Sequence, residues 1–306
     1  MLDEIPTVIK QQEILNKKAE PLADIFNALG ILAGTRSIEI DLPVLKVSCI
    51  VKPVNGSEEL RLRTMKASGA AFIRSFNKVI YEHTTFKGMD FEDFEDFQNH
   101  LTPPDKAMLV YALLDATFAK LPEKIITCPS CGNTDTYEFE PHSMVHSDTI
   151  SKIWDKKLDH KDYQVVSEIV PGFTIHYHMP DESTRIKIIQ EKENQEMREE
   201  LENTNEVLSQ MELFSLYVKQ LDIVVDGKVK ELTDIVGEIL PVLINMPMEL
   251  KTKLLNDETI KEFIEYSPKF YFNIPCTAPA CTLGEFKWDD ISPEQDFFLK
   301  ALSVYN

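Results

Sequence analysis

Apolar positions along the chain change period several times, and each change predicts an element. From Leu45 to Val51, Leu45, Val47, Cys49 and Val51 fall on one face, the period-2 signature of a half-buried strand. Pro53, Asn55 and Gly56 then turn the chain. Ser57 is placed to cap a helix with Glu58 and Glu59 in its first turn, where the helix dipole favours carboxylates. Leu62, Met65, Gly69, Phe72, Ile73, Phe76 and Ile80 follow at helical spacing, predicting one long amphipathic helix to Tyr81 or Glu82. Met89–Phe97 repeats an aromatic every third residue between acids. It reads as a short helix burying Phe91, Phe94 and Phe97, with an acidic docking segment for a basic partner as the alternative. Thr102-Pro103-Pro104-Asp105 opens the next helix, whose buried face carries Leu109, Ala112, Leu113 and Ala116, to about Lys120.

The second half of the chain is more polar. Phe173, Ile175, Tyr177 and Met179 alternate on one strand face, leaving His176 and His178 on the other, where they are expected to face solvent, with metal binding by the i, i+2 pair as the alternative. A helical stretch is expected from Pro180 to about Leu221. Its middle, Gln190–Glu206, carries only Met197 and Leu201 among many charges and is expected to project from the core. Asp226-Gly227 signals a hairpin. Short helices are expected over Glu231–Leu243, Met248–Leu255 and Asp257–Tyr266, and a strand over Phe270–Ile274.

These elements predict an α+β fold, mostly helical with short strands, and a zinc-ribbon-like module joining the middle of the chain to its end. The expected divisions are an N-terminal arm (1–43) with a helical docking element at Asp24–Gly30, and a strand-helix-helix-knuckle domain (44–140). A mixed connection (141–184), a helical region (185–269) and a C-terminal segment with strand, cysteine pair and tail (270–306) follow.

Cysteine spacing supplies the chemistry. Ile125 and Ile126 lead into Cys128-Pro-Ser-Cys131-Gly132, two thiols on a tight turn. Cys276 and Cys281 follow a second strand-like run, 145 residues beyond Cys131. Two strand-plus-pair units can close one four-thiolate tetrahedral site, and zinc is the expected metal, in a structural role. The alternatives are four reduced thiols, a redox C-x-x-C, and His142 with His146 substituting for the second pair. Redox chemistry needs a helix starting at the first cysteine, whereas Gly132-Asn-Thr-Asp135 turns into another strand-like run. The leftover Cys49 lies in an apolar strand. Five cysteines, four of them in close pairs, favour metal in a reducing compartment over a disulfide framework.

Charge narrows the partners. Against 32 Lys and Arg stand 51 Asp and Glu, a net charge of −19, which repels nucleic acid and anionic membranes and suits a basic protein partner. No targeting segment is expected at Met1–Pro6, and the most apolar run, Ile239–Pro247, is too short to span a bilayer. The G-x-G-x-x-G, G-K-[ST], H-E-x-x-H and G-x-S-x-G motifs are all absent, so no enzyme is expected.

The order of these parts resembles the baseplate hub proteins of T-even-type contractile-tailed bacteriophages, a family of hub subunits and hub assembly factors. The matching parts are Val47-Ser-Cys-Ile-Val-Lys-Pro53 running into Ser57-Glu-Glu59, and Leu101-Thr-Pro-Pro-Asp-Lys106 with Leu109, Tyr111 and Leu114. The strand into Cys128-Pro-Ser-Cys131-Gly132, the late cysteine pair and Phe297-Phe298 complete the set. They cover roughly residues 45–140 and 180–306. Cys276 and Cys281 stand wider apart than the C-x-x-C form expected of the family's late pair. The resemblance implies a non-catalytic structural or assembly role at the tail hub. The implied partners are hub and tape-measure proteins, or other copies of the chain, with the host cytoplasm and the virion baseplate as its places. A zinc-stabilised cytoplasmic adaptor binding a basic protein partner is the competing reading.

Overall fold

A computed structural model describes residues 36–55, 58, 69–146, 165–198, 210–258, 268–294, 296 and 297. The expected docking element at Asp24–Gly30, the cap Ser57, the helix at Asp257–Tyr266 beyond Glu258, and Leu201 lie outside them, as does the side chain of Met197. Among the described residues, four small antiparallel sheets and seven α-helices form a mixed α+β fold, with more strand than the sequence suggests.

The first sheet has the order β1 (Ile38–Asp41), β2 (Ser48–Val51), β3 (Thr84–Phe86). Residues 38–41, expected in an arm, thus pair with β2, and Leu42 is fully buried. The alternating face is as read: Leu45, Cys49 and Val51 are buried and Val47 packs against the core. Pairing, however, starts only at Ser48, because the chain first makes a tight loop with Lys46 at φ 53°.

Helix α1 runs Gly69–His83. The long helix expected from Ser57 is interrupted at Gly69, whose φ of +84° no helix tolerates in its interior. The preceding helical start is capped reciprocally by Asn55 and Glu58: each backbone N–H donates to the other's side chain, both at 3.1 Å. Helix α2 (Phe94–His100) is capped by Asp93, which accepts from Asp96 N at 2.9 Å. Phe97 is fully buried there, amid Tyr81, Phe86, Phe91 and Phe94. Phe97 is therefore core, and Phe91 and Phe94 pack half-buried against it.

Helix α3 (Pro103–Thr117) is buried nearly all round and forms the axis of the first core. It ends three residues before the expected Lys120 because Phe118 turns extended. Around it pack the first sheet, the hairpin β4 (Lys124–Thr127)–β5 (Thr134–Tyr137), and a sheet ordered β12-β11-β6. The last comprises β6 (Val145–His146), β11 (Phe270–Pro275) and β12 (Glu285–Trp288). Phe297 closes the same core against Phe76 and Phe118. Sequence distance is thus no guide to packing: Phe270, Phe272, Ile274, Phe286 and Phe297 join the core built from residues 42–144.

A second core sits under the meander β7 (Val165–Val170), β8 (Phe173–Tyr177), β9 (Val218–Val225), β10 (Lys228–Leu232). Phe173, Ile175, Tyr177, Val218, Leu221 and Leu232 are buried in it. The sheet crosses the boundary expected at 184–185. Of the helical stretch expected to reach Leu221, the described parts are α4 (Glu182–Arg198) and α5 (Gln210–Ser215), and Val218–Leu221 is strand. Asp226 and Gly227 both have positive φ (51° and 73°), as a two-residue primed hairpin turn requires. The helix expected over Glu231–Leu243 is instead the end of β10, a π turn at Ile235–Ile239 and α6 (Leu240–Asn245). Helix α7 occupies Met248–Leu255 as read.

Helix α4 joins the two cores. Ile188 packs on Leu216 and Leu240. On its other side, Glu193 accepts a 3.0 Å bond from Ala70 N and so caps α1. Lys192 pairs with Glu212 at 3.4 Å. Lys192 and Glu193, in the stretch expected to project from the core, are therefore tied to α5 and α1. Among the described residues, no helix is long and apolar enough to cross a membrane.

Candidate metal centre

Each cysteine pair sits at the tip of a hairpin. Cys128 follows β4, and its N–H donates to Asn133 O at 2.8 Å while Gly132 N returns to Cys128 O at 3.0 Å. Gly132 takes φ +72°, which lets the turn close between the two thiols. The wider second loop reaches an equivalent shape by a different route. Cys276 N donates to Gly284 O at 2.7 Å and Cys281 N to Ala278 O at 3.0 Å, so Thr277–Ala280 fold into a compact turn. Gly284, at φ +70°, takes the part of a trailing glycine three residues after the second cysteine rather than one.

The two tips meet. Cys131 Sγ lies 3.6 Å from Cys276 Sγ, Cys128 Sγ lies 3.9 Å from Cys281 Sγ, and all four sulfurs fall within 4.8 Å of one another. A tetrahedral centre with metal–sulfur bonds of about 2.3 Å has edges of about 3.8 Å. Four cysteines therefore cluster closely enough to ligate one metal ion. Cys128 is buried, Cys276 and Cys281 half-buried, and Cys131 exposed.

Neighbouring side chains lock the hairpins together without merging them into one sheet. Tyr137 donates to Pro275 O at 3.0 Å. Asn133 Nδ2 donates to Thr277 Oγ1 at 3.0 Å, and that hydroxyl donates to Asp135 Oδ2 at 2.8 Å. Beneath, Phe139 stacks on Phe272 at 4.3 Å and on Trp288 at 5.4 Å. The strands before the two pairs do not hydrogen-bond to each other: β4 pairs β5, and β11 pairs β12 and β6.

The thiols do not ionise alike. The Cys131 N–H holds the Cys128 thiol down to about 7. The Ala278 N–H pulls Cys276 the same way, but desolvation and the neighbouring sulfurs outweigh it and push that thiol up to about 12. Four thiolates in one small volume repel strongly, and a cation at their centre removes the repulsion.

The other ligand candidates go elsewhere. His142 pairs with Glu140 at 3.0 Å on a single 3₁₀ turn, and His146 lies in β6, so neither replaces a cysteine. His176 is not free in solvent, because Asp222 on the neighbouring strand bonds it at 2.8 Å. His178 Nε2 is buried without a partner among the described residues, and desolvation drops its ring to about 4. The sequence reading missed Asp222, forty-six residues from His176, since only the β8–β9 register brings the two together. Thr277, Asn133 and Asp135 were missed for the same reason, although Asn and Asp inside a knuckle are a usable signal for side-chain caps.

No family model matches the chain, and no curated protein and no solved structure matches it either.

Proposed function

We propose that the chain is a non-enzymatic structural or assembly protein whose middle and end are stapled by one structural zinc on Cys128, Cys131, Cys276 and Cys281. The observation that carries this reading is the four-sulfur cluster, with neighbour separations of 3.6 and 3.9 Å. Four thiolates fill a tetrahedral shell and leave no position for water, so the metal holds the fold and does no chemistry. Soft thiolates favour zinc over calcium or magnesium. Two hairpin tips around one metal make the module zinc-ribbon-like, with the interlock at Tyr137 and Thr277 in place of a shared sheet.

The setting we propose is the central tail hub of a contractile-tailed phage, on the resemblance of the ordered motifs. The −19 charge supports a basic protein partner.

Two experiments test the two halves. Metal analysis of freshly purified, reduced protein is expected to find about one zinc per chain, and a chelator is expected to lower the melting temperature sharply. Metal-free protein with an unchanged melt would refute the staple. Co-purification with hub and tape-measure proteins, and detection in purified virions or in assembly intermediates, is expected for the hub role. Absence from all of these, with binding to an unrelated basic host protein, would favour the adaptor reading instead.

A further inference from the structure

The two close sulfur contacts of the cysteine cluster both run between hairpins. Cys131 Sγ meets Cys276 Sγ at 3.6 Å, and Cys128 Sγ meets Cys281 Sγ at 3.9 Å, joining residues 145 and 153 positions apart. A disulfide holds its sulfurs at about 2.05 Å, so each contact has to shorten by about 1.6–1.9 Å. Rotation of the side chains supplies that without breaking a backbone bond. Closure within a pair is harder, because each turn is fixed by its own backbone. Gly132 N donates to Cys128 O and Cys128 N to Asn133 O in the first, and Cys281 N donates to Ala278 O in the second. The two tips are meanwhile held face to face by the Tyr137 bond to Pro275 O and by Thr277 between Asn133 and Asp135.

Exposure sets the order of attack. Cys131 is exposed, Cys276 and Cys281 are half-buried, and Cys128 is buried. An oxidant arriving from solvent meets Cys131 first, with the Cys276 sulfur already in contact. Cys49, fully enclosed in β2, stands outside the cluster.

We infer that the cluster is a site of oxidative modification: a hydroperoxide joins Cys131 to Cys276 and then Cys128 to Cys281, and two cross-hairpin disulfides take over the staple from the metal. The inference rests on the zinc reading for the ion it releases. The Cys131 thiolate attacks the peroxide O–O bond, becoming a sulfenic acid and expelling hydroxide. The Cys276 thiolate then attacks that sulfur, forms the S–S bond and expels a second hydroxide. Both hydroxides take protons from solvent and leave as water. A second peroxide does the same for Cys281 and Cys128. Four thiolates thus give up four electrons, two peroxides become four waters, and zinc departs as an unchanged divalent ion. The tie between the middle and the end of the chain survives without metal, and a dithiol reductant with zinc restores the first state.

The test titrates the full-length protein, as purified, with hydrogen peroxide. Zinc release is followed with a chromogenic chelator, free thiols by alkylation, and pairing by tandem mass spectrometry of non-reduced tryptic peptides. About two peroxides per chain are expected to consume four thiols and release the zinc, with Cys49 still alkylated after denaturation. The peptide carrying Cys128 and Cys131 is expected to be joined to the one carrying Cys276 and Cys281, with Cys131 on Cys276. The melting temperature of the oxidised protein is expected to be indifferent to chelator, and that of the reduced protein to fall in it. Disulfides within the pairs, sulfinic acids in place of disulfides, or four thiols surviving excess peroxide would each overturn the inference. Zinc found together with within-pair disulfides would sink it and leave the metal staple standing. Cross-joined peptides from protein purified without zinc would uphold the pairing and remove the staple.

Discussion

Asp105 sits in the first turn of α3, where a surface acid would complement the dipole, yet it is fully buried. Its Oδ1 accepts from Val44 N at 2.7 Å, and its Oδ2 accepts from Leu45 N at 3.2 Å and from Thr102 Oγ1 at 2.8 Å. It thereby satisfies the backbone of the buried loop before β2. Loss of solvent outweighs these bonds and pushes its carboxyl up to about 7. A folded pKa above the unfolded value of about 3.9 means that the acid's contribution is complete below pH 4 and is lost as pH rises to 7. Three units correspond to about 4 kcal/mol. Asp105→Asn removes the charge and keeps most of the partners: its carbonyl in place of Oδ1 serves Val44 and the longer 3.4 Å bond from Leu45, its amide donates to the Thr102 hydroxyl, and the 3.2 Å Leu45 bond is lost at every pH. The variant is expected to outlast the parent by a margin that grows about 1.4 kcal/mol per pH unit up to pH 7, then stays constant. Between pH 5.5 and pH 8, above the isoelectric point of about 4.8, that growth amounts to about 2 kcal/mol. Urea unfolding of both proteins at the two pH values measures it. Parallel pH profiles would refute the claim that a buried, strained ionisation sits at Asp105.

Glu182→Gln strands the Lys106 ammonium and is expected to cost about 3–5 kcal/mol in denaturant melts, whereas the double change Lys106→Met, Glu182→Leu recovers most of it. Gly69→Ala forces a side chain to φ +84° and into the Glu193 carboxylate, for an expected loss of about 1–2 kcal/mol by the same assay. Cys49→Ser buries a hydroxyl at a fully enclosed position and is expected to cost about 1–3 kcal/mol without altering metal content, which separates it from Cys128→Ser and Cys276→Ser. Those two are expected to lose metal and stability alike, since each removes one side of the same shell.

How much the sequence disclosed depends on how local each cause was. The period-2 face at Leu45–Val51, the primed turn at Asp226-Gly227 and helix Met248–Leu255 follow from neighbouring residues, and the structure has them. The four metal-ligating candidates were also legible, because thiols in pairs have few other uses. The breaks were less so. Gly69 fits the helical period of its neighbours, but its positive φ starts α1 there, beside the Glu193 carboxylate of α4 that caps Ala70 N. Val218–Leu221 carries a pattern that serves helix or strand. Pairing with β8 decides it, and no single segment encodes that pairing. Lys106 and Glu182 are ordinary surface residues by type, and nothing local marks them as buried partners.

The cross-hairpin cluster also has a consequence for biosynthesis. Cys128 and Cys131 emerge from the ribosome with half the chain still to come, and their partners follow 145 residues after Cys131. At roughly 5–20 residues per second that interval is about 7–30 s. For all of it two thiols stand open on a finished hairpin, and the space later taken by Phe297 between Phe76 and Phe118 stays vacant. Closure can occur only once the distal hairpin has been made. On the metal staple proposed above, capture would be a late proofreading event: a prematurely terminated product, lacking Cys276 and Cys281, would keep half of the thiol cluster and an exposed aromatic gap of the kind that chaperones and proteases recognise.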